Sequence, residues 1–171
     1  MISKYILIGC AALSLLGLGC NKQNQPTQSD QETIYTSADF HFQIYKPQDV
    51  TIAIVPVSVG VNDRVGQVNV TDNIIISVYK TKAGLEQDFS SALTRPEFAK
   101  NWHSITMSIN GAPAQVYSTN DYVDGVGATA ESAVLTEVIG PTYAYMIQFY
   151  GISDDPNNPE VATYLSSFKA S

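Results

Sequence analysis

The second part of the chain alternates apolar and polar residues with a period of two, which is typical of β-strands. Phe40 to Tyr45 follows this pattern, and Pro47 ends the run. Ile74 to Tyr79 carries large side chains on both faces, which predicts a central strand covered on both sides. Asn110-Gly111 separates two further runs and predicts a two-residue hairpin turn, because both turn positions require a positive φ.

The same period predicts the remaining strands of a sheet. They are Ile34–Thr36, Thr51–Val59, Val68–Val70, Ser104–Ser118, Thr129–Ile139 and Thr142–Ile152. Pro56 indicates an edge position or a bulge for the Thr51–Val59 segment, since proline cannot donate to a ladder.

Two segments have helical spacing. The first extends from Gly84 to about Trp102 and is interrupted near Arg95, because Pro96 follows. The second begins after Asn158, a good N-cap, with Pro159 at the first helical position. Strands, a helix, strands and a helix, joined by hairpin-type links, predict an α+β fold in which helices pack on a mainly antiparallel twisted sheet.

The N-terminus has the layout of a secretory signal peptide, with Lys4 followed by an apolar run that is short for a membrane span. Because it ends on Cys20, residues 1–20 resemble a bacterial lipoprotein signal, in which that cysteine is lipidated. Cys10 also follows a suitable motif, but cleavage there would leave an apolar core of only about five residues. Cys20 is therefore the predicted lipidation site, and the covalent lipid is the only group expected in place of a cofactor.

Residues 21–32 contain no large apolar side chain and are predicted to be a flexible polar tether. Residues 33–171 are then a single domain. The formal net charge of −7 argues against a nucleic-acid partner. Both cysteines lie in the export segment, so residues 33–171 contain no disulfide and no thiol nucleophile.

Acidic and histidine side chains are the candidates for chemistry. Asp154, Asp155 and Glu160 offer oxygen ligands to a hard cation such as Ca²⁺. A capped turn leading into a helix is the preferred interpretation of the same residues, and no metal site is predicted. His41 and His103 would have to meet a carboxylate in space to bind a metal or assist a hydrolase. Two partly exposed histidines without such a role are favoured.

Four tyrosines, Tyr79, Tyr117, Tyr143 and Tyr145, form a candidate binding face, because tyrosine is favoured at protein interfaces. Packing between strands of an aromatic-rich sheet is the alternative, and it is favoured.

The layout of residues 33–170 resembles the PsbP-like fold family, including the DcrB-like bacterial lipoproteins. The resemblance rests on the aromatic strand Phe40–Tyr45 closed by Pro47, a central helix and the turn-containing segment Ile105–Ala114. It also rests on the strand Tyr143–Ile147 and the final helix that ends in Ser167-Phe168-Lys169. It implies an αβα sandwich with mostly non-enzymatic roles, and it assigns no site residue.

These observations predict a lipid-anchored, non-enzymatic binding or accessory module of the cell envelope that faces the periplasm or the exterior. Its partners would be the membrane, through the anchor, and another envelope protein. A small envelope hydrolase using loop Ser, His and Asp groups is the alternative function.

Overall fold

The computed structural model describes residues 33–57, 62–95, 101–123 and 129–171. The signal segment, Cys10, Cys20 and the tether lie outside these residues. The described elements are β1 (Thr33–Ser37), β2 (Phe42–Lys46), β3 (Ala53–Val55), β4 (Arg64–Thr71), β5 (Ile74–Tyr79), α1 (Lys82–Thr94), β6 (His103–Ile109), β7 (Ala112–Tyr122), β8 (Glu131–Ile139), β9 (Ala144–Tyr150), α2 (Pro159–Ser167) and β10 (Lys169–Ala170).

These strands form two sheets. The larger sheet has seven strands in the order β3-β4-β5-β9-β8-β7-β6, and the smaller has the order β1-β2-β10. Every pairing is antiparallel. The predicted α+β class with a mainly antiparallel sheet is therefore confirmed.

The larger sheet is the middle of three layers. On one face, α1 buries Leu85 and Phe89 against Tyr79 and Leu135. On the other face, α2 and the smaller sheet together cover the branched side chains of the large sheet. In the described residues, neither helix is both long and apolar enough to cross a bilayer.

Local signals in the sequence set several elements. β5 lies inside the sheet between β4 and β9, as its double-sided apolar pattern predicts. Asn110 and Gly111 have φ angles of 48° and 84° and join β6 to β7 in continuous register, which confirms the hairpin. Asn158 caps α2 by accepting a hydrogen bond from the Glu160 amide at 3.0 Å.

The predicted interruption of the first helix near Arg95 is confirmed. α1 ends at Thr94, and Arg95 has an extended backbone because the proline that follows it disfavours the helical conformation. Residues 96–100 lie outside the described residues. Trp102 is not helical; it precedes β6, and its ring packs on Tyr122 at a centroid distance of 6.3 Å.

The division into two sheets and the short strand β10 are not visible in the sequence pattern. β10 has only two residues and pairs with Phe42 and Gln43 of β2. Two residues are too few to show a period, so only the return of the chain after α2 identifies this strand.

A cluster of three buried rings joins the smaller sheet to the larger one. Tyr145 of β9 meets Phe42 of β2 at 5.9 Å and Phe168, which follows α2, at 5.2 Å. Its hydroxyl lies 2.9 Å from the carbonyl oxygen of Phe40 and 3.0 Å from that of His41, so one hydrogen is shared between two acceptors. Burial raises the pKa of the Tyr145 hydroxyl, which therefore remains protonated as the donor.

Replacing Tyr145 with phenylalanine should remove this donor and keep the ring. We expect the free energy of unfolding to fall by about 1–2 kcal/mol, because a buried carbonyl loses its partner. Chemical denaturation of the full-length chain measures the change. Tyr143→Phe is the matched control on the same strand face, and it should change stability by less than about 0.5 kcal/mol. Equal losses in the two variants would contradict the role given to the Tyr145 hydroxyl.

Candidate functional site

Strand β6 forms one edge of the seven-stranded sheet, and most of it faces solvent. Six of its seven residues are not buried, and the side chain of Ile105 is 45% exposed. Its sequence, HSITMSI, contains no Lys, Arg, Asp, Glu or Pro. Natural edge strands are normally shortened, charged or interrupted by proline, so that another strand cannot add to them. β6 has none of these protections.

The register of the β6–β7 hairpin shows which backbone groups point outward. Ile109 and Ala112 flank the two-residue turn and form a hydrogen-bonded pair, so the odd-numbered residues of β6 bond to β7. Ser104, Thr106 and Ser108 therefore direct their N–H and C=O groups away from the sheet. In the described residues, no other backbone segment bonds to these groups. They are available to an added strand.

A groove of about 310 Å³ lies between β6 and helix α2. Met107 and Ile109 line one wall, and Ala162 and Leu165 of α2 line the other. Side chains of a strand added to β6 would point alternately toward this groove and away from it. The arrangement of an open edge strand beside a helix matches peptide recognition by strand addition, in which the backbone gives affinity and the pockets give specificity.

Asn110 fixes the distance between the hairpin and α2. Its side-chain amide donates hydrogen bonds to the carbonyl oxygens of Ser166 at 2.8 Å and Phe168 at 2.6 Å. Carbonyls at the end of a helix lack partners within the helix, so this amide satisfies two groups that would otherwise need water. Asn110 therefore forms part of the turn and also fixes the separation between the hairpin and α2, which sets the width of the groove.

The opposite edge of the large sheet is different. β3 has only three residues, all exposed, and Pro56 follows directly after it, which confirms the predicted edge position. Ile54 is 53% exposed there. A strand this short, closed by proline, offers few backbone groups for pairing.

The structure places the four candidate tyrosines on both faces of the large sheet. Tyr79 and Tyr117 belong to the α1 side, while Tyr143 and Tyr145 belong to the α2 side. Tyr79 and Tyr145 are completely buried, and Tyr117 and Tyr143 are partly buried. The four do not form one exposed face, and Tyr79 and Tyr145 pack between the layers instead.

The acidic candidates lie in and after the turn that precedes α2. Asp155 accepts hydrogen bonds from the backbone amide of Asn157 at 2.8 Å and from its side chain at 3.1 Å. Glu160 occupies the first turn of α2, and Asp154 is exposed. In the part of the chain that the structure describes, no three His, Cys, Asp or Glu side chains are placed to hold a metal ion.

Both histidines are exposed and lie apart in the fold. His41 precedes β2 with a φ of 53°, and its ring contacts Tyr143 at 5.8 Å. His103 is the first residue of β6. Neither imidazole is hydrogen-bonded to a described carboxylate, so the described residues give the hydrolase alternative no oriented base.

The comparisons with known proteins identify the fold. No family model and no curated protein matches the chain. The solution structure of cyanobacterial PsbP (CyanoP) from Synechocystis sp. PCC 6803 is similar, with a TM-score of 0.51 and 12% sequence identity over 81% of this chain and 92% of that one. The likeness shows a PsbP-like fold, which confirms that part of the resemblance found in the sequence. The narrower resemblance to DcrB-like lipoproteins stays a prediction.

Sequence reasoning did not select β6 as a functional element. The hairpin was visible through Asn110-Gly111, and the lack of charge in HSITMSI was available as a signal. However, the sequence does not say that β6 is an edge strand, because strand order depends on which strand pairs with β9 and β8. The groove also depends on the position of α2, which is 50 residues further along the chain.

Replacing Asn110 with aspartate should test the link between the hairpin and α2. Aspartate tolerates the left-handed turn but has no N–H to donate, and it places a carboxylate beside two carbonyl oxygens. We expect a loss of about 1–3 kcal/mol in the free energy of unfolding, together with faster amide exchange in the last turn of α2. Asn120→Asp, the same change at an exposed position of β7, should alter stability by less than about 0.5 kcal/mol.

Asn110→Gly separates the two roles of the residue. Glycine keeps the positive φ and loses only the two donors, so it should show the same faster exchange in α2. Unchanged exchange in both Asn110 variants would contradict the proposed link.

Proposed function

We propose that this chain is a lipid-anchored, non-enzymatic accessory protein of the cell envelope that binds an extended segment of another protein along strand β6. The observation that carries the proposal is the seven-residue uncharged edge strand beside the α2 groove. Its exposed backbone groups and its apolar groove together supply affinity and selectivity for one kind of partner.

The anchor part of the proposal rests on the sequence. A signal layout that ends in Cys20, followed by the polar segment 21–32, supports a tethered domain. A flexible coil of twelve residues has a root-mean-square span of roughly 20 Å. This length would let residues 33–171 reorient beside the membrane and present β6 to a neighbour.

The accessory role is supported by the fold and by the site geometry. The PsbP-like resemblance implies mostly non-enzymatic proteins at membranes. In the described residues, the exposed and separated histidines do not assemble with a carboxylate. A binding edge, by contrast, is present without any rearrangement.

The chemistry of β6 indicates the partner. Ile105, Met107 and Ile109 share one face of β6, and Met107 and Ile109 line the groove there; Ser104, Thr106 and Ser108 alternate with them along the strand. A matching segment alternates apolar and polar residues. It carries no net negative charge, because the formal charge of this chain is −7 and like charges repel. The same repulsion disfavours a second copy of this chain as the occupant.

Mass spectrometry of the protein purified from membranes tests the anchor. We expect Cys20 to be the N-terminal residue with acyl chains attached, and Cys20→Ala to abolish the modification. Cys10→Ala is the control and should leave processing unchanged. An acylated Cys10, or an unmodified Cys20, would overturn this part of the proposal.

Site-specific photo-crosslinking in intact cells tests the binding edge. A photo-reactive residue at Thr106 should give one distinct adduct with another protein, and the same residue at Ile54 of the opposite edge should not. Ile105→Lys should reduce the Thr106 adduct at least fivefold, because it places a charge at the groove. Ile54→Lys is the matched control, since both isoleucines are exposed on edge strands, and it should have no effect.

Hydrogen exchange then distinguishes strand addition from other contacts. When the crosslinked partner's peptide is added to the full-length chain, the amides of Ser104, Thr106 and Ser108 should become protected at least tenfold. The amides of Ile105 and Met107 already bond to β7 and should change much less. An adduct of twice the chain mass would indicate self-association. That result, or equal crosslinking at both edges, would refute the proposal.

A further inference from the structure

Arg64 carries one buried donor that has no acceptor in the part of the chain that the structure describes. Its Nε is fully buried and makes no hydrogen bond, and no described carboxylate forms an ion pair with it. Asp88, a nearby acid, is already bound by the hydroxyl of Tyr79 at 2.8 Å and by the amide of Asn62. A guanidinium donor that is removed from water normally has an acceptor. The missing acceptor points to a ligand.

Arg64 lines a cleft of about 430 Å³ between the start of β4, the end of β5 and the first turn of α1. This volume lies within the range of small-molecule sites. Lys80, Ala83 and Gln87 are among the other lining residues. The cleft is on the α1 side of the large sheet, whereas the β6 groove is on the α2 side, so the two sites are separate.

The walls of this cleft are held in place by short contacts. A Cβ atom on Gly84 would lie 2.1 Å from the carbonyl oxygen of Asn62, so the helix can approach the loop only because residue 84 is glycine. Thr81 caps the helix by accepting a hydrogen bond from the Gly84 amide, and it donates one to Asp63. The Lys80 amide also bonds to the Asp63 carbonyl oxygen at 3.0 Å.

The charge balance of the cleft favours a monoanion. Arg64, Lys80 and Asp63 line the cleft, and Asp88, which accepts hydrogen bonds from Tyr79 and Asn62, lies beside it. The first turn of α1 contains no acidic residue, so the partial positive charge at this helix end is not balanced locally. A singly charged carboxylate would match this partial positive charge. A phosphate dianion would leave an excess of negative charge in a chain whose formal charge is already −7.

We propose that the cleft beside Arg64 binds a small organic carboxylate, whose oxygens accept hydrogen bonds from the Arg64 guanidinium. The planar guanidinium matches the geometry of a carboxylate, and such pairs are shorter and stronger than neutral hydrogen bonds. Lys80 adds charge at the rim, and Gln87 is a neutral donor and acceptor for the rest of the ligand. The apolar Val65 and Ala83 provide room for a short aliphatic group.

Two-dimensional NMR of the full-length chain in a nonionic detergent tests this site. N-acetylalanine is the carboxylate probe, and its N-methylamide is the uncharged control. We expect the Arg64 Nε–H resonance and the Lys82 and Ala83 amides to shift with the carboxylate and to stay unchanged with the amide. Inorganic phosphate at the same concentration should bind at least tenfold more weakly.

Variants that each remove one positive charge show which side chains contribute to the affinity for the carboxylate probe. Arg64→Gln should weaken N-acetylalanine binding at least tenfold, and Lys80→Gln should weaken it two- to fivefold. Lys169→Gln removes the same charge on the other side of the large sheet and should have no effect. The Lys80 variant and the wild-type shifts remain informative if Arg64→Gln destabilises the protein.

Three results would overturn the proposal: equal shifts with the amide, tighter binding of phosphate, or equal weakening by Lys80→Gln and Lys169→Gln. None of them bears on the β6 edge, whose crosslinking is measured separately.

Discussion

The contact of Tyr145 with Phe42 and Phe168 is the constraint on which the layered structure depends. These three rings come from β9, from β2 and from the end of α2, so each belongs to a different part of the chain. The Tyr145 hydroxyl adds hydrogen bonding to the backbone before β2. Burial of apolar surface favours packing of the smaller sheet on the larger one but is non-directional. The hydrogen bonds of the Tyr145 hydroxyl are directional, and they fix the position of the smaller sheet on the larger one. The position of α2 follows from that of Phe168.

The position of α2 in turn creates the candidate binding site. Asn110 ties the β6–β7 hairpin to the carbonyls at the end of α2, and this leaves a groove beside the open strand. The two edge strands of the large sheet differ in how well they are protected against the addition of another strand. β3 is short and followed by proline, whereas β6 is longer, uncharged and unprotected. Because an unprotected edge can pair with another strand, this edge is where we propose that a partner segment binds.

Arg64 shows a second feature that folding alone does not explain. Burying a guanidinium N–H without an acceptor is unfavourable, and the described residues provide no compensating bond. The neighbouring carboxylates bond to other side chains instead: Asp88 accepts from Tyr79 and Asn62, and Asp63 accepts from Thr81. The fold thus carries an open strand edge beside a groove on one side of the large sheet and a polar cleft on the other.

Local chemistry in the sequence was sufficient for most individual elements. The period of two located nearly all the strands, Asn110-Gly111 defined the hairpin, and Asn158-Pro159 marked the start of α2. These signals are local, since they depend on backbone preferences over a few residues. The interruption of the first helix near Arg95 was also a local signal, because the residue before a proline is disfavoured in the helical conformation and α1 ends at Thr94.

The sequence by itself determined the α+β class and the central place of β5, and it indicated an edge position or a bulge for β3. Tertiary structure alone decided the order of the strands, the separate small sheet with β10 and the opposite sides taken by Tyr79 and Tyr145. It also decided that β6 is an open edge and that, among the described residues, the Nε of Arg64 has no hydrogen-bond partner. The physical reason is that strand pairing and burial join residues far apart in the chain, as Tyr145 and Phe40 show across 105 positions. A local pattern gives the face of a strand, but not its neighbour.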